Sequence, residues 1–265
     1  MTARRRTRTD RLHRMLRVTW AVLSGFVVES IIFGLSVLPG ALFWTWHFNW
    51  TFGNAYVRIV VLSMAFMPAY LLFCIALMVL SALAMRLMGW RTPDAAEMRI
   101  DDLDWPLLRW VRYTVSIHLV RLFAGTVLRA TPLWSWYHRL NGAKVGRDVW
   151  INTISLMDHN LLEFGDHVVI GSDAHASGHL VEGGVVKTAR IHFGNYVTVG
   201  LKSVIGIGVT IGDQTQVGAL SVVPKHRALE PRSVYGGVPA HKIERVEPES
   251  PLGAGGIHPG GGGPR

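Results

Sequence analysis

The chain has 265 residues, room for one or two domains. Hydrophobic residues make up 49% and charged ones 17%, a balance between that of a soluble enzyme and that of a full membrane protein. The formal net charge is +9, but seven arginines fall between Arg4 and Arg17, a run suited to a membrane surface; no nucleic-acid reader module accompanies it, so nucleic acid is not an expected partner. The single cysteine, Cys74, lies in an apolar run, which excludes an intrachain disulfide and a Cys-based zinc site.

Residues 1–17 read as a basic cytoplasmic segment and residues 18–90 as a two-helix transmembrane region. Apolar residues dominate from about Val18 to Leu38 and from Ile59 to about Met85, and a span needs roughly 20 of them. The first run is too long for a signal-peptide core and no clean cleavage site follows, so it is expected to be retained. Pro68 can be accommodated as a kink. Trp44, Trp46, Phe48, Trp50 and Phe52 suggest an aromatic interfacial loop between the spans. The arginines at the N-terminus, with Arg86 and Arg91 after the second span, place both ends in the cytoplasm by the positive-inside rule. The expected location is therefore the cell membrane, multi-pass, with the C-terminal domain on the cytoplasmic face. Glu29 falls within the first span; it either faces another helix or contacts a lipid-linked or transported substrate.

Residues 91–137 read as a linker and a helix. After Asp101, Asp102 and Asp104, the residues Leu107, Leu108, Val111, Val115, Leu119 and Leu122 recur at helical spacing with Arg109, Arg112 and Arg121 among them. A basic amphipathic helix of this kind is interfacial.

From residue 193 a six-residue period takes over. Phe193, Val199, Ile205, Ile211, Val217 and Val223 are each followed by glycine, except that Pro224 ends the series. With glycine near 7% on average, five such coincidences have odds on the order of one in a million. Val197, Ser203, Val209, Thr215 and Ser221 stand four places after each apolar position. Neither helix nor ordinary strand gives this period; it predicts short parallel strands wound into a triangular solenoid. The apolar and the small residues point inward, and the glycine is expected at a corner that needs permissive φ/ψ. Val145-Gly146, Phe164-Gly165 and Ile170-Gly171 extend the pattern backwards, giving a solenoid over residues 138–246. It slips between residues 151 and 164 and breaks from Ala176 to His192. Such breaks are extruded loops, which tend to carry function. The tail, residues 247–265, is expected to be disordered.

These repeats, followed by Ser221-Val222-Val223-Pro224-Lys225 and Gly237-Val238-Pro239-Ala240-His241-Lys242-Ile243, resemble the end of the hexapeptide-repeat acyltransferases. Tyr137 to Gly146, Leu156-Met157-Asp158 and Gly178-His179-Leu180 are similar to a narrower group, the C-terminal membrane units of poly-lysine-type peptide synthetases. The resemblance implies an all-β left-handed parallel β-helix, a homotrimer, and acetyl-CoA or another acyl-CoA as co-substrate with no metal. It implies O- or N-acetyl transfer to a membrane-associated acceptor, with His179 on the extruded loop as general base. His175 and His159 are the other candidates, Asp158 could orient a histidine or serve a corner, and Glu182 stands beside the base. For coenzyme A it points to the backbone beside Leu201 and Ala219 for the pantetheine, to Lys225 for the phosphates and to His241 for the nucleotide. Lys202 is either a ligand or a solvated face. Three other functions are compatible with the fold: a carrier-thioester-dependent amide-forming unit, a zinc enzyme of carbonic anhydrase type using His175 and His179, and a non-catalytic scaffold.

Overall fold

The structure, a computed structural model, describes residues 8–49 and 54–243. Arg4 to Arg6, Trp50, Phe52, the end of the expected solenoid and the tail lie outside the described residues.

Two helices, α1 (Arg8–Phe48) and α2 (Ala55–Met88), are long and apolar enough to cross a membrane. The first runs further than its apolar stretch. It begins within the basic run and continues to Phe48, so Trp44 and Trp46 stand on the helix and not in a loop. Gly40 allows the two helices to pack here, because a Cβ would lie 2.5 Å from the Ala69 carbonyl oxygen. Asn54 caps α2 by accepting the Tyr56 N–H at 2.8 Å, and Gly89 ends it in the left-handed conformation at φ 63°.

Past the linker come α3 (Trp105–Val120), a π-turn (Arg121–Gly125), α4 (Thr126–Leu128) and α5 (Pro132–Leu140). The apolar stripe anticipated on α3 is present, but only its first turn is covered. Leu107 packs with Met98 and Val186, whereas Val111, Val115 and Leu122 are 42, 48 and 64% exposed. The opposite face, with Tyr113, Ser116, Ile117 and Val120, is the buried one.

The C-terminal part is a three-sided parallel β-helix. One side stacks the strands Lys144–Val145, Leu162–Phe164, Ile191–Phe193, Thr210–Ile211 and Ala228–Leu229. The second stacks Trp150–Ile151, Val169–Ile170, Thr198–Val199, Gln216–Val217 and Val234–Gly236, closed by the antiparallel His241–Ile243. The third stacks Leu156–Met157, His175–Ser177, Val204–Ile205 and Val222–Val223. Phe193 pairs with Ile211, 18 residues on, or three hexapeptides per coil. Phe164 pairs with Phe193, 29 residues on, and the 11-residue excess is the inserted segment. That segment is no loose loop. Its strands His179–Glu182 and Val185–Thr188 form a hairpin, to which Glu97–Arg99 from the linker adds a third antiparallel strand.

All six apolar repeat positions and all five small ones are buried, as the period requires. The reason for the glycines is different from the one expected. The corner residues in the left-handed conformation are Tyr196, Lys202, Gln214 and Leu220, two places after each glycine, with Gly208 the one glycine among them. The repeat glycines are needed because the next coil lies directly above: a Cβ would stand 2.7 Å from Leu201 N at Gly171, 2.7 Å from Lys225 N at Gly206 and 2.6 Å from Pro231 N at Gly212.

One hydrophobic core joins both halves. Ile32, Phe73 and Leu77 of the long helices connect through Val120, Ala124 and Leu128 to Trp134 and Tyr137 of α5, and from there to Ile151 and Phe164 inside the β-helix. Helix α5 thus plugs the open first coil, with Trp134 Nε1 donating to the Thr153 carbonyl at 2.9 Å.

Gly171→Ala should cost about 1–3 kcal/mol, the usual range for overpacking. Gly218→Ala, whose Cβ would meet nothing closer than 3.4 Å, should cost well under half of that; denaturation of both variants in detergent makes the comparison.

Candidate active site

The site is built where the hairpin leaves the β-helix. Asp158 follows the strand Leu156–Met157 and turns the chain with φ 56°, while His179 opens the hairpin 21 residues later. His179 Nδ1 and Asp158 Oδ2 are 2.5 Å apart. The carboxylate has no exposed surface and the imidazole keeps 21% of its side-chain surface open. A buried carboxylate needs donors on all sides, and Asp158 has them. Thr92 Oγ donates to Oδ1 at 2.6 Å, Trp110 Nε1 to the same oxygen at 3.1 Å, and Ser177 Oγ lies 3.3 Å from Oδ2. The Trp110 ring meets the imidazole edge-on at 4.9 Å. With Nδ1 committed to the carboxylate, the proton sits on that nitrogen and Nε2 carries the free lone pair. The arrangement can accept a proton at Nε2 and hold the resulting imidazolium against a buried anion.

The other candidates fall in different places. His159 is a correction: it is completely buried, its Nε2 lies 3.2 Å from the Leu156 carbonyl oxygen, and its ring packs 4.1 Å from that of His138, so it cannot meet a substrate. Glu182 is also separated from His179. It sits at the far end of its strand, exposed, with both carboxylate oxygens on Lys225 Nζ at 2.8 and 2.9 Å and one on Lys187 at 3.2 Å. His175 belongs to the third side, where it pairs with Val204 and points outward. Burial, Arg121 and the nearby charge of His179 together hold its pKa below the ordinary value.

Of the residues assigned to coenzyme A, Leu201, Lys202 and Ala219 share one corner of the β-helix, where the Leu220 N–H donates to the Leu201 carbonyl at 2.9 Å. Lys225 stands at the next corner, below the hairpin. Between the two corners runs the third side, with His175, Val204 and Val222 on its outer surface and His179 at its edge. His241 is exposed on the closing strand of the second side. Among the described residues no group of three His, Cys, Asp or Glu side chains is placed to hold a metal ion. No pattern along the chain points to Thr92, Trp110 and Ser177; none belongs to a repeat, and only folding brings the linker and α3 over Asp158.

Burial holds the His138 pKa down at about 4, and burial together with His138 holds that of His159 well below its ordinary value. In the unfolded chain both would bind a proton near pH 6.5. Stability is therefore complete above pH 6.5 and declines as the pH falls towards 4, by roughly 3 kcal/mol for His138 alone. Denaturation between pH 7.5 and 4.5 should show this slope, and His138→Gln should make it shallower, leaving the part due to His159.

No family model matches the chain. It is 31% identical over 150 residues to a putative colanic acid biosynthesis acetyltransferase of Escherichia coli K12, covering 54% of this chain and 79% of that one. It is 34% identical over 110 residues to the galactoside O-acetyltransferase of the same organism, covering 38% of this chain and 53% of the relative. A third relative, the delta-poly-L-ornithine synthetase of Acinetobacter baumannii AB307-0294, is 27% identical over 113 residues, which are 43% of this chain and 8% of that protein. The chain thus spans about half of the galactoside enzyme and a small part of the synthetase.

Proposed function

The chain belongs to the hexapeptide-repeat acetyltransferases, and we propose that it transfers an acetyl group from acetyl-CoA to a hydroxyl or amine of an acceptor held at the cytoplasmic face of a membrane. The observation that carries this reading is the Asp158–His179 pair at the edge of the third side, in which the imidazole keeps 21% of its side-chain surface exposed. His179 takes the proton from the acceptor as its oxygen or nitrogen attacks the thioester carbonyl. The C–S bond breaks as the tetrahedral adduct collapses, and the imidazolium returns the proton to the departing thiolate. Asp158 holds Nδ1 protonated and steadies the imidazolium. Thr92, Trp110 and Ser177 hold Asp158 in place.

The donor lies along the third side between the corner of Leu201 and Ala219 and that of Lys225. Lys225 is paired with Glu182, so a donor phosphate has to compete with that carboxylate. The outer surface here is apolar, with Leu201, Val204 and Leu220 exposed, and it suits a neighbouring copy. We therefore propose a trimer of left-handed β-helices with sites between subunits. Both long helices span the bilayer, and the exposed Val111 and Val115 of α3, with Leu122 of the following π-turn, face its surface.

His179→Ala should lower turnover at least a hundred-fold, the range for losing a general base, with acetyl-CoA affinity within about twofold. His175→Ala should retain most activity. Loss of activity in His175→Ala with retention in His179→Ala would reassign the base. In the proposed topology residue 49 is outside and residue 243 inside; a cysteine at residue 243 that reacts with an impermeant reagent in intact cells would overturn it. Mass measurement of the detergent extract should give three chains.

A further inference from the structure

Five cationic side chains from five separate parts of the chain converge on one cavity of about 570 Å³. Arg86 comes from α2, Arg91 from the linker, Arg109 from α3, Lys144 from the first coil and Arg190 from the turn after the hairpin; no Asp or Glu is among the lining residues. Two of the five are balanced from the rim, Lys144 by Glu163 at 2.8 Å and Arg190 by Asp94 at 2.6 Å and Glu163 at 3.0 Å. Arg91 and Arg109 make no ion pair with any described residue, and Arg86 reaches only the Arg139 carbonyl, at 3.5 Å. Like charges gathered in a partly enclosed space repel one another, and an anion removes that cost. The positive-inside rule accounts for arginines near a membrane but not for their convergence from separate elements. The lining also holds a buried polar atom, Asn141 Oδ1, that accepts from no donor among the described residues.

The depth of the cavity identifies the source of the anion. Helix α2 has no charged residue from Ile59 to Met85, and the cavity is lined by Ala82, Met85 and Arg86, where that stretch ends. An adjoining hollow lined by Trp20, Trp90, Trp105, Arg109 and Arg112 places three indoles at the same end of the helices, as in the interfacial belts of membrane proteins. The cavity is also close to the site. Asn160 lines it and holds the Thr92 backbone through bonds of 3.2 and 2.8 Å, while the Thr92 hydroxyl holds Asp158. Arg109 directly precedes Trp110, which touches His179.

We propose that this cavity binds the phosphate ester of an anionic lipid headgroup, and so selects a phosphate-bearing lipid as the acceptor presented to His179. The proposal rests on the membrane acetyltransferase reading. Phosphate could also come from coenzyme A or from free anions, and the test separates the three. Full-length protein in neutral detergent is titrated with phosphatidic acid, with diacylglycerol of the same acyl chains, with inorganic pyrophosphate and with acetyl-CoA. Phosphatidic acid should bind at least tenfold more tightly than diacylglycerol, and less tightly as salt rises. The double variant Arg91→Gln, Arg109→Gln should lose at least tenfold of that affinity and keep acetyl-CoA affinity within about twofold. The charge-retaining Arg91→Lys, Arg109→Lys pair should restore most of it. Equal binding of the two lipids overturns the proposal. Pyrophosphate binding as tightly as phosphatidic acid replaces it with a free-anion site, and selective loss of acetyl-CoA affinity in the Gln variant reassigns the cavity to the donor. A protein that prefers phosphatidic acid as expected but never binds acetyl-CoA leaves the cavity standing and sinks the acetyltransferase reading instead.

Discussion

The structure depends on how closely one coil of the β-helix can lie on the next. Parallel strands bond at roughly 4.8 Å, and at that spacing a side chain directly under a neighbouring corner has no room. Gly171, Gly206 and Gly212 meet this condition by having no Cβ, and the buried row Phe193, Val199, Ile205 and Ile211 fills the interior that results. Because the wall is so regular, a departure from it has to leave the prism completely. The hairpin does so at one corner and returns the chain to register at Ile191, so His179 rests on a rigid base even though it belongs to an insertion.

A stack of identical coils has two open ends and three exposed sides, and this chain treats them differently. Helix α5 and its Trp134 cover the first end, which extends the β-helix core into the helical layer. The closing strand His241–Ile243 turns back along the second side. The third side is covered by the helices at Met157 but left open around His175 and Val204 in the single chain, and it is the side next to His179. Position and chemistry therefore coincide: the open surface is the one that borders the Asp158–His179 pair.

Much of this was legible in the sequence, because few architectures besides a stack of short coils place glycine after an apolar residue every six positions. The inward-facing residues, the three-sided winding and the place of the insertion all follow from that period. The reason for the glycines did not follow, since close approach and left-handed backbone leave the same residue in a sequence. Nor did the hairpin: Val185 to Thr188 pairs with Glu97–Arg99, some 90 residues earlier, and no local pattern records such a partner. The histidines show the same limit. His159 and His179 both flank repeat strands, and only packing separates the one stacked in the core from the one at the groove. The stripe on α3 was visible as a period, but a period does not say which side faces the protein, and most of this one faces away.

Thr92 lies just beyond α2 and Trp110 lies on α3, yet both serve a carboxylate that belongs to the β-helix. The Asp158–His179 pair is thus supported across the joint between the two halves and not within either. During biosynthesis the β-helix is made after the helices, and its Asp158 acquires these two donors only when the segments ahead of it are seated. A copy whose helices failed to dock would carry an incompletely supported His179 on an otherwise well-formed scaffold. On the function proposed above, misplaced molecules would then be poor catalysts, and acetyl-CoA would be spared from them without any separate inhibitor.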